Sequence, residues 1–233
     1  MLSRKFKQRK EMHPIFLKYW AQQLTLRSED GGASNLALTL NDIRINPIPY
    51  QISAVSRAMK ALREHNGAIL ADEVGLGKTI EAGIIIHRHW QQGKRKILII
   101  LPASLIAQWI DELTKKFRLP VTVVNSQYLR RKNPPNPFIS DKIVLCSYHF
   151  ASNKAKYLAG LPWDLCCIDE VHHLRNRHGR MATVLRNALR DIPKLLLTAT
   201  PIQNSQNDLY ALAEVIDEYF PIRPKMDDSK PWE

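Results

Sequence analysis

Residues 69–85 read ILADEVGLGKTIEAGII. A short apolar run leads into a turn with two glycines, and a helical pattern leads out of it. That is the local order of a phosphate-binding loop set between a strand and a helix. Gly75 and Gly77 carry no side chain, so backbone N–H groups are free to turn inward around phosphate oxygens. Lys78 and Thr79 open the following helix, whose N-terminal partial positive charge favours an anion. In such loops the lysine reaches the β- and γ-phosphates and the hydroxyl ligates Mg2+. One position departs from the general pattern G-x-x-x-x-G-K-[ST]: Asp72 stands where the first glycine is expected.

Working outward, apolar runs of strand length alternate with helical patterns. GAILA, KILIILP, VTVV, KIVLCSY, WDLCCID and KLLLTAT read as strands. IPYQISAVSRAMKALRE, the segment from Lys78 to about Trp90, residues 150–159, HGRMATVLRNALRD and QNDLYALAEVIDEYF read as helices, and SLIAQWIDELTKKF as an amphipathic segment. RRKNPPNPF reads as a loop, rich in proline and asparagine. Wholly apolar strands alternating with helices predict an α/β fold, a doubly wound and mostly parallel sheet covered on both faces. Ligands of such sheets bind outside the carboxyl ends of the strands. Every sharp motif of this chain falls at such an end.

CCIDEVHHL supplies an acidic pair there. Asp169 ends a buried strand and suits Mg2+ coordination. Glu170 follows directly and is the candidate for orienting and deprotonating a water. That adjacency favours hydrolysis over transfer to an acceptor hydroxyl; an acidic pair at a helix N-terminus is the plainer alternative. LLLTATPIQN places the Thr198 and Thr200 hydroxyls at another strand end, within expected reach of the acidic motif. Gln51, in PIPYQISA, has the donor and acceptor that pair with adenine; an exposed helical glutamine is its alternative.

The chain of 233 residues carries a net charge of +12. So large an excess suggests an anionic partner, and nucleic acid is the usual one. Arg175, Arg177, Arg180, Arg186 and Arg190 fall in a stretch without acidic residues until Asp191, Arg130, Arg131 and Lys132 form a second cluster, and RKFKQRK near the N-terminus a third. Basic surfaces hold the phosphate backbone without reading sequence; a solvated basic face is the alternative. Cys146, Cys166 and Cys167 sit in apolar runs and read as core thiols of a reducing compartment. No apolar run approaches the roughly 20 residues of a membrane span, and MLSRKFKQRK lacks the apolar region of a secretory signal. His87, His89, His172, His173 and His178 lack zinc-ligand spacing, with His87 and His89 on different sides of a helix. A cytosolic protein is expected. Residues 1–45 read as a basic, partly helical extension, 46–221 as the compact α/β unit and 222–233 as a polar tail or the start of a linker.

Taken together, these motifs resemble the N-terminal RecA-like lobe of superfamily II helicase-type ATPases, specifically Swi/Snf-type DNA translocases. DEVGLGKTIEAG is most similar to the bacterial RapA-like branch, ATPases that recycle RNA polymerase. In that family the loop begins D-E-x-G-x-G-K-T, so Asp72 is the family form. The resemblance covers about residues 47–220 and implies ATP and Mg2+ as ligands. It implies nucleotide binding by Gln51 and by Asp72, Glu73, Val74, Gly75, Leu76, Gly77, Lys78 and Thr79. Lys78, Asp169 and Glu170 become catalytic, Thr79 and Asp169 metal-binding, and His172, Thr198, Ala199 and Thr200 coupling residues. LPASLIAQW resembles motif Ia, Asp169 to His172 the DEAH-like box and TATPIQN motif III. Double-stranded DNA, with RNA polymerase or another DNA-bound complex, is the implied partner, in a bacterial, nucleoid-associated setting. The family's ATP site is completed by arginines of a second RecA-like lobe, for which 233 residues leave no room, so an incomplete enzyme is expected. A small P-loop kinase fits the adjacent Asp169 and Glu170 poorly. A non-catalytic nucleotide- or DNA-binding module acting through a partner is the other reading.

Overall fold

The central strands are buried along their whole length, and successive side chains alternate between two cores, one on each face of the sheet. The computed structural model describes residues 39–40, 42–73, 75–174, 176, 179–200 and 212–216. The helix expected near residues 14–26, Val74, Arg175, Arg177 and His178, the segment 201–211 and the tail 222–233 lie outside them. Strands β1 (Gly67–Leu70), β2 (Ile97–Leu101), β3 (Val121–Val123), β4 (Ile143–Ser147), β5 (Leu165–Ile168) and β6 (Lys194–Leu197) form one sheet. Its order is β1-β6-β5-β2-β4-β3, and every neighbouring pair is parallel. This is the doubly wound α/β architecture that the alternation of runs predicts.

Helices α1 (Pro49–His65), α2 (Lys78–Gln91) and α3 (Ile106–Asp111) cover one face, where Ile97, Ile99, Leu101, Leu145, Cys167, Leu195 and Leu197 are buried. Helices α4 (Ser126–Lys132), α5 (Tyr148–Asn153), α6 (Ala155–Leu158) and α7 (Arg180–Ala188) cover the other, against Leu98, Ile100, Val144, Cys146, Cys166, Ile168 and Leu196. Among the described residues no helix is long and apolar enough to cross a membrane.

One local expectation needs correction, and one amphipathic segment winds irregularly. Arg130, Arg131 and Lys132 are not a loop: they form the last turn of α4. Asn125 accepts the Tyr128 N–H at 2.8 Å and so caps the helix, while Tyr128 and Leu129 pack on the core. The loop begins only at Asn133, left-handed at φ 39°, ahead of Pro134 and Pro135. SLIAQWIDELTKKF is not one regular helix. It is a 3-10 turn (Ala103–Leu105), then α3, then a π-helical turn (Glu112–Lys116). The wide turn carries Leu113 and Phe117 into the core, both fully buried, which regular winding does not guarantee.

Phe117 explains a glycine in the middle of α2. A Cβ on Gly83 would stand 2.2 Å from the Phe117 ring, so the ring occupies the space a side chain would need. Helical propensity favours alanine over glycine by ~1 kcal/mol, and here sterics reverse that preference. Gly83→Ala is expected to destabilise the chain by about 1–3 kcal/mol, read as a lower urea midpoint. Gly83→Ala combined with Phe117→Leu should recover part of that loss.

Candidate functional site

The three strands that carry the polar motifs are neighbours, with β6 between β1 and β5. Leu70 pairs with Leu197 and Ile168 with Leu196, so the strands exit at one level. Just past them, the Thr198 N–H donates to the Leu70 carbonyl at 3.1 Å and the Asp169 N–H to the Ile100 carbonyl at 2.9 Å. The glycine loop, the threonines and the acidic pair therefore share one edge.

In the loop, Gly75 and Gly77 adopt φ 85° and 93°, a region that disfavours any residue with a side chain. Gly77 caps α2, whose first N–H groups, those of Lys78 and Thr79, have no acceptor within the helix. The Lys78 ammonium donates to the carbonyls of Asp72 at 2.6 Å and Glu73 at 3.0 Å. Gln51, expected at the base, is buried. Its Oε1 accepts the Ile48 N–H at 3.1 Å and its Nε2 donates to the Leu76 carbonyl at 3.0 Å. The Tyr50 hydroxyl donates to the same carbonyl. A Cβ at Gly77 would meet Gln51 Nε2 at 2.3 Å, so these two positions are sterically interlocked.

Asp169 is held on every side. Its Oδ1 accepts the Glu170 N–H at 2.8 Å, its Oδ2 the Trp109 indole N–H at 2.8 Å and its carbonyl the Tyr148 hydroxyl at 2.6 Å. Burial lifts its carboxyl above the usual carboxylate range, against the pull of the indole and amide donors. Glu170 takes a left-handed φ of 51° and its carboxylate lies 3.0 Å from His172 Nδ1. His172 stacks on His173, ring centroids 4.5 Å apart. Thr198 is buried, and its hydroxyl accepts the Thr200 N–H at 3.2 Å; Ala199 lies between them. Trp109 and Tyr148 are the contributors that sequence reading missed. A signal existed for Trp109: an indole N–H in an apolar segment needs a polar partner, and its helix follows β2, the strand beside β5.

Among the described residues, the basic candidates Arg130, Arg131, Lys132 and Arg180 are exposed to solvent. The first three lie on α4, after β3, and β3 and β1 are the two outer strands. Arg180 stands at the start of α7. His87 and His89, expected on different sides of α2, are both buried.

Glu81, three residues past Lys78, also escaped notice. It is fully buried, and both its carboxylate oxygens and Asp72 Oδ2 lack hydrogen-bond partners among the described residues. Burial first, then the nearby Asp72 carboxyl, push its pKa up to about 8. The folded chain thus keeps a proton that the unfolded chain releases near its ordinary value of 4.5. This contribution to stability is full below that value and is lost as pH rises towards 8. Glu81→Gln should flatten this part of the pH profile and raise stability at pH 8 by about 1–3 kcal/mol, measured by urea unfolding at pH 5 and 8.

Comparison with known proteins places these residues in context. The family described as SNF2-related domain matches residues 50–220. An ATP-dependent helicase of Bacillus subtilis, YqhH, is 38% identical over 174 residues, 73% of this chain and 29% of the relative. The RNA polymerase-associated protein RapA of Proteus mirabilis is 37% identical over 188 residues, 76% of this chain and 19% of RapA. The chain thus spans less than a third of the length of these relatives. The SWI2/SNF2 ATPase core of Sulfolobus solfataricus, solved in complex with double-stranded DNA, superposes with a TM-score of 0.64 at 26% identity, covering 76% of this chain and 36% of that one. With its loop, acidic box and threonines on three adjacent parallel strands, the chain belongs to the SNF2-related family, as a RapA-like N-terminal RecA-like lobe.

Proposed function

We propose that this chain is the ATP-binding lobe of a DNA-dependent ATPase that translocates on double-stranded DNA. The observation that carries the reading is the shared edge of the Lys78 loop and the Asp169–Glu170 pair across β6. The residues fit a magnesium nucleotide: N–H groups without a helical acceptor at the start of α2, a lysine bonded to two loop carbonyls, and a buried carboxylate aligned by two donors. Gln51, with loop residues Asp72 to Thr79, binds the nucleotide. Lys78 neutralises the β- and γ-phosphates, while Thr79 and Asp169 hold Mg2+. The metal, when bound there, would supply neutralisation of phosphate charge. Glu170 orients a water and takes its proton, and His172, which holds the Glu170 carboxylate, links it to Thr198, Ala199 and Thr200. Residues 46–221 form the lobe, 1–45 an extension and 222–233 a tail or linker.

Arg130, Arg131, Lys132 and Arg180, with Arg175 and Arg177, contact DNA phosphates. RNA polymerase or another DNA-bound complex is the partner proposed by likeness to RapA, which implies a cytoplasmic, nucleoid-associated protein. An arginine from a second lobe completes the catalytic site, worth about 10³–10⁵ in rate in phosphoryl transfer. These 233 residues alone therefore bind ATP and hydrolyse it negligibly. Phosphate release with and without duplex DNA tests this. Robust DNA-stimulated turnover abolished by Lys78→Ala would refute dependence on a second lobe, and absence of ATP binding would refute the nucleotide reading. DNA affinity should fall steeply with salt. Replacing Arg130, Arg131 and Lys132 by alanine should reduce the slope of log K against log salt by ~0.9 for each lost phosphate contact; an unchanged slope removes α4 from the interface.

A further inference from the structure

Among the described residues, one side chain outside the acidic loop reaches the Asp169 carboxylate: the indole of Trp109, 2.8 Å from Oδ2. Trp109 lies on α3, which follows β2, and β2 pairs directly with β5 through Ile100 and Ile168. The ring is 1% exposed and packed in the same core as Leu113 and Phe117, so it has no room to swing away. Apolar packing does not require the nitrogen. A buried N–H without an acceptor costs free energy, and here its acceptor is the carboxylate assigned to the metal. Oδ1 is held separately, by the Glu170 amide at 2.8 Å. With one donor on each oxygen, rotation of the carboxylate about its Cβ–Cγ bond is blocked from both ends.

We propose that Trp109 is a positioning residue: its indole N–H fixes the Asp169 carboxylate in the orientation that accepts Mg2+, tying metal affinity to the segment ASLIAQW after β2. The inference rests on the magnesium-nucleotide reading above. Donors of this kind behind a ligating group typically matter 10–100-fold in metal affinity. They act on the ligand's orientation rather than on contacts to the rest of the nucleotide.

The test measures the affinity of the 233-residue chain for a fluorescent ATP analogue, with Mg2+ and with EDTA, and takes the ratio as the metal-dependent gain. Two replacements are compared: Trp109→Phe, and 3-benzothienylalanine at position 109, which keeps the bicyclic shape with sulfur in place of N–H. Both should lower the metal-dependent gain about 10–100-fold and leave affinity in EDTA unchanged. A benzothienylalanine protein with the wild-type gain overturns the proposal, since packing alone would then suffice. Equal losses with and without Mg2+ overturn it too, by revealing a structural role. A wild-type chain that binds the analogue equally well in Mg2+ and EDTA instead sinks the magnesium reading itself, and the proposal with it.

Discussion

The pairing of β6 with β1 on one side and β5 on the other is the constraint on which the remaining structure depends. In-register parallel ladders bring Gly67, Lys194 and Cys166 to one level and Ile69, Leu196 and Ile168 to another. With strands about 4.8 Å apart, the phosphate loop after β1 and the acidic pair after β5 lie two strand spacings apart, and the threonines that end β6 stand between them. The amino end of the same three strands is closed by unusual means. Lys194 is buried, yet its ammonium donates to the carbonyls of Ile192 at 3.0 Å and Ile216 at 3.3 Å. Gly67 leaves room for Ile216, which a Cβ there would meet at 2.2 Å. A buried charge and an absent side chain thus lock the helical turn 212–216 beneath the strands that bear the site.

Two departures from local rules fall at the site. Glu170 carries a side chain at a left-handed φ of 51°, a conformation that costs on the order of 1 kcal/mol or more and clusters at functional positions. Asp72 and Glu81 leave carboxylate oxygens without partners in the interior. Neither feature helps the fold. Glu170 and Asp72 sit in the two loops that the nucleotide reading uses, and Glu81 in α2 just beyond the first of them, where the packed helices and ladder around them over-determine the geometry.

Much of this was legible in the sequence. Unbroken apolar runs such as KILIILP and KLLLTAT declare strands buried on both faces. A glycine loop between such a run and a helix declares its own place at the sheet edge. The order of the strands was not legible, because β1 and β6 are 127 residues apart at their first residues, Gly67 and Lys194, and no local pattern encodes such a pairing. Trp109 and Tyr148 were hidden for the same reason: each acts on Asp169 across the fold rather than along the chain. The α4 turn was missed because three basic residues ahead of two prolines look like a loop, whereas the decisive cap, Asn125, comes earlier. The π turn depends on how Leu113 and Phe117 seat against Gly83, a matter of volume and not of period.

Gln51 bonds at one end to the Ile48 backbone and at the other to Leu76 in the glycine loop, while its amide fills the space beside Gly77. Mechanically, these bonds make the loop and the start of α1 a single lever. Residues just before α1 sit against the far end of α2, where Gln91 bonds Thr39 at 2.8 Å and Asp42 at 2.5 Å. A change in loop shape therefore has a stiff route to the chain preceding α1, with α2 as its fulcrum.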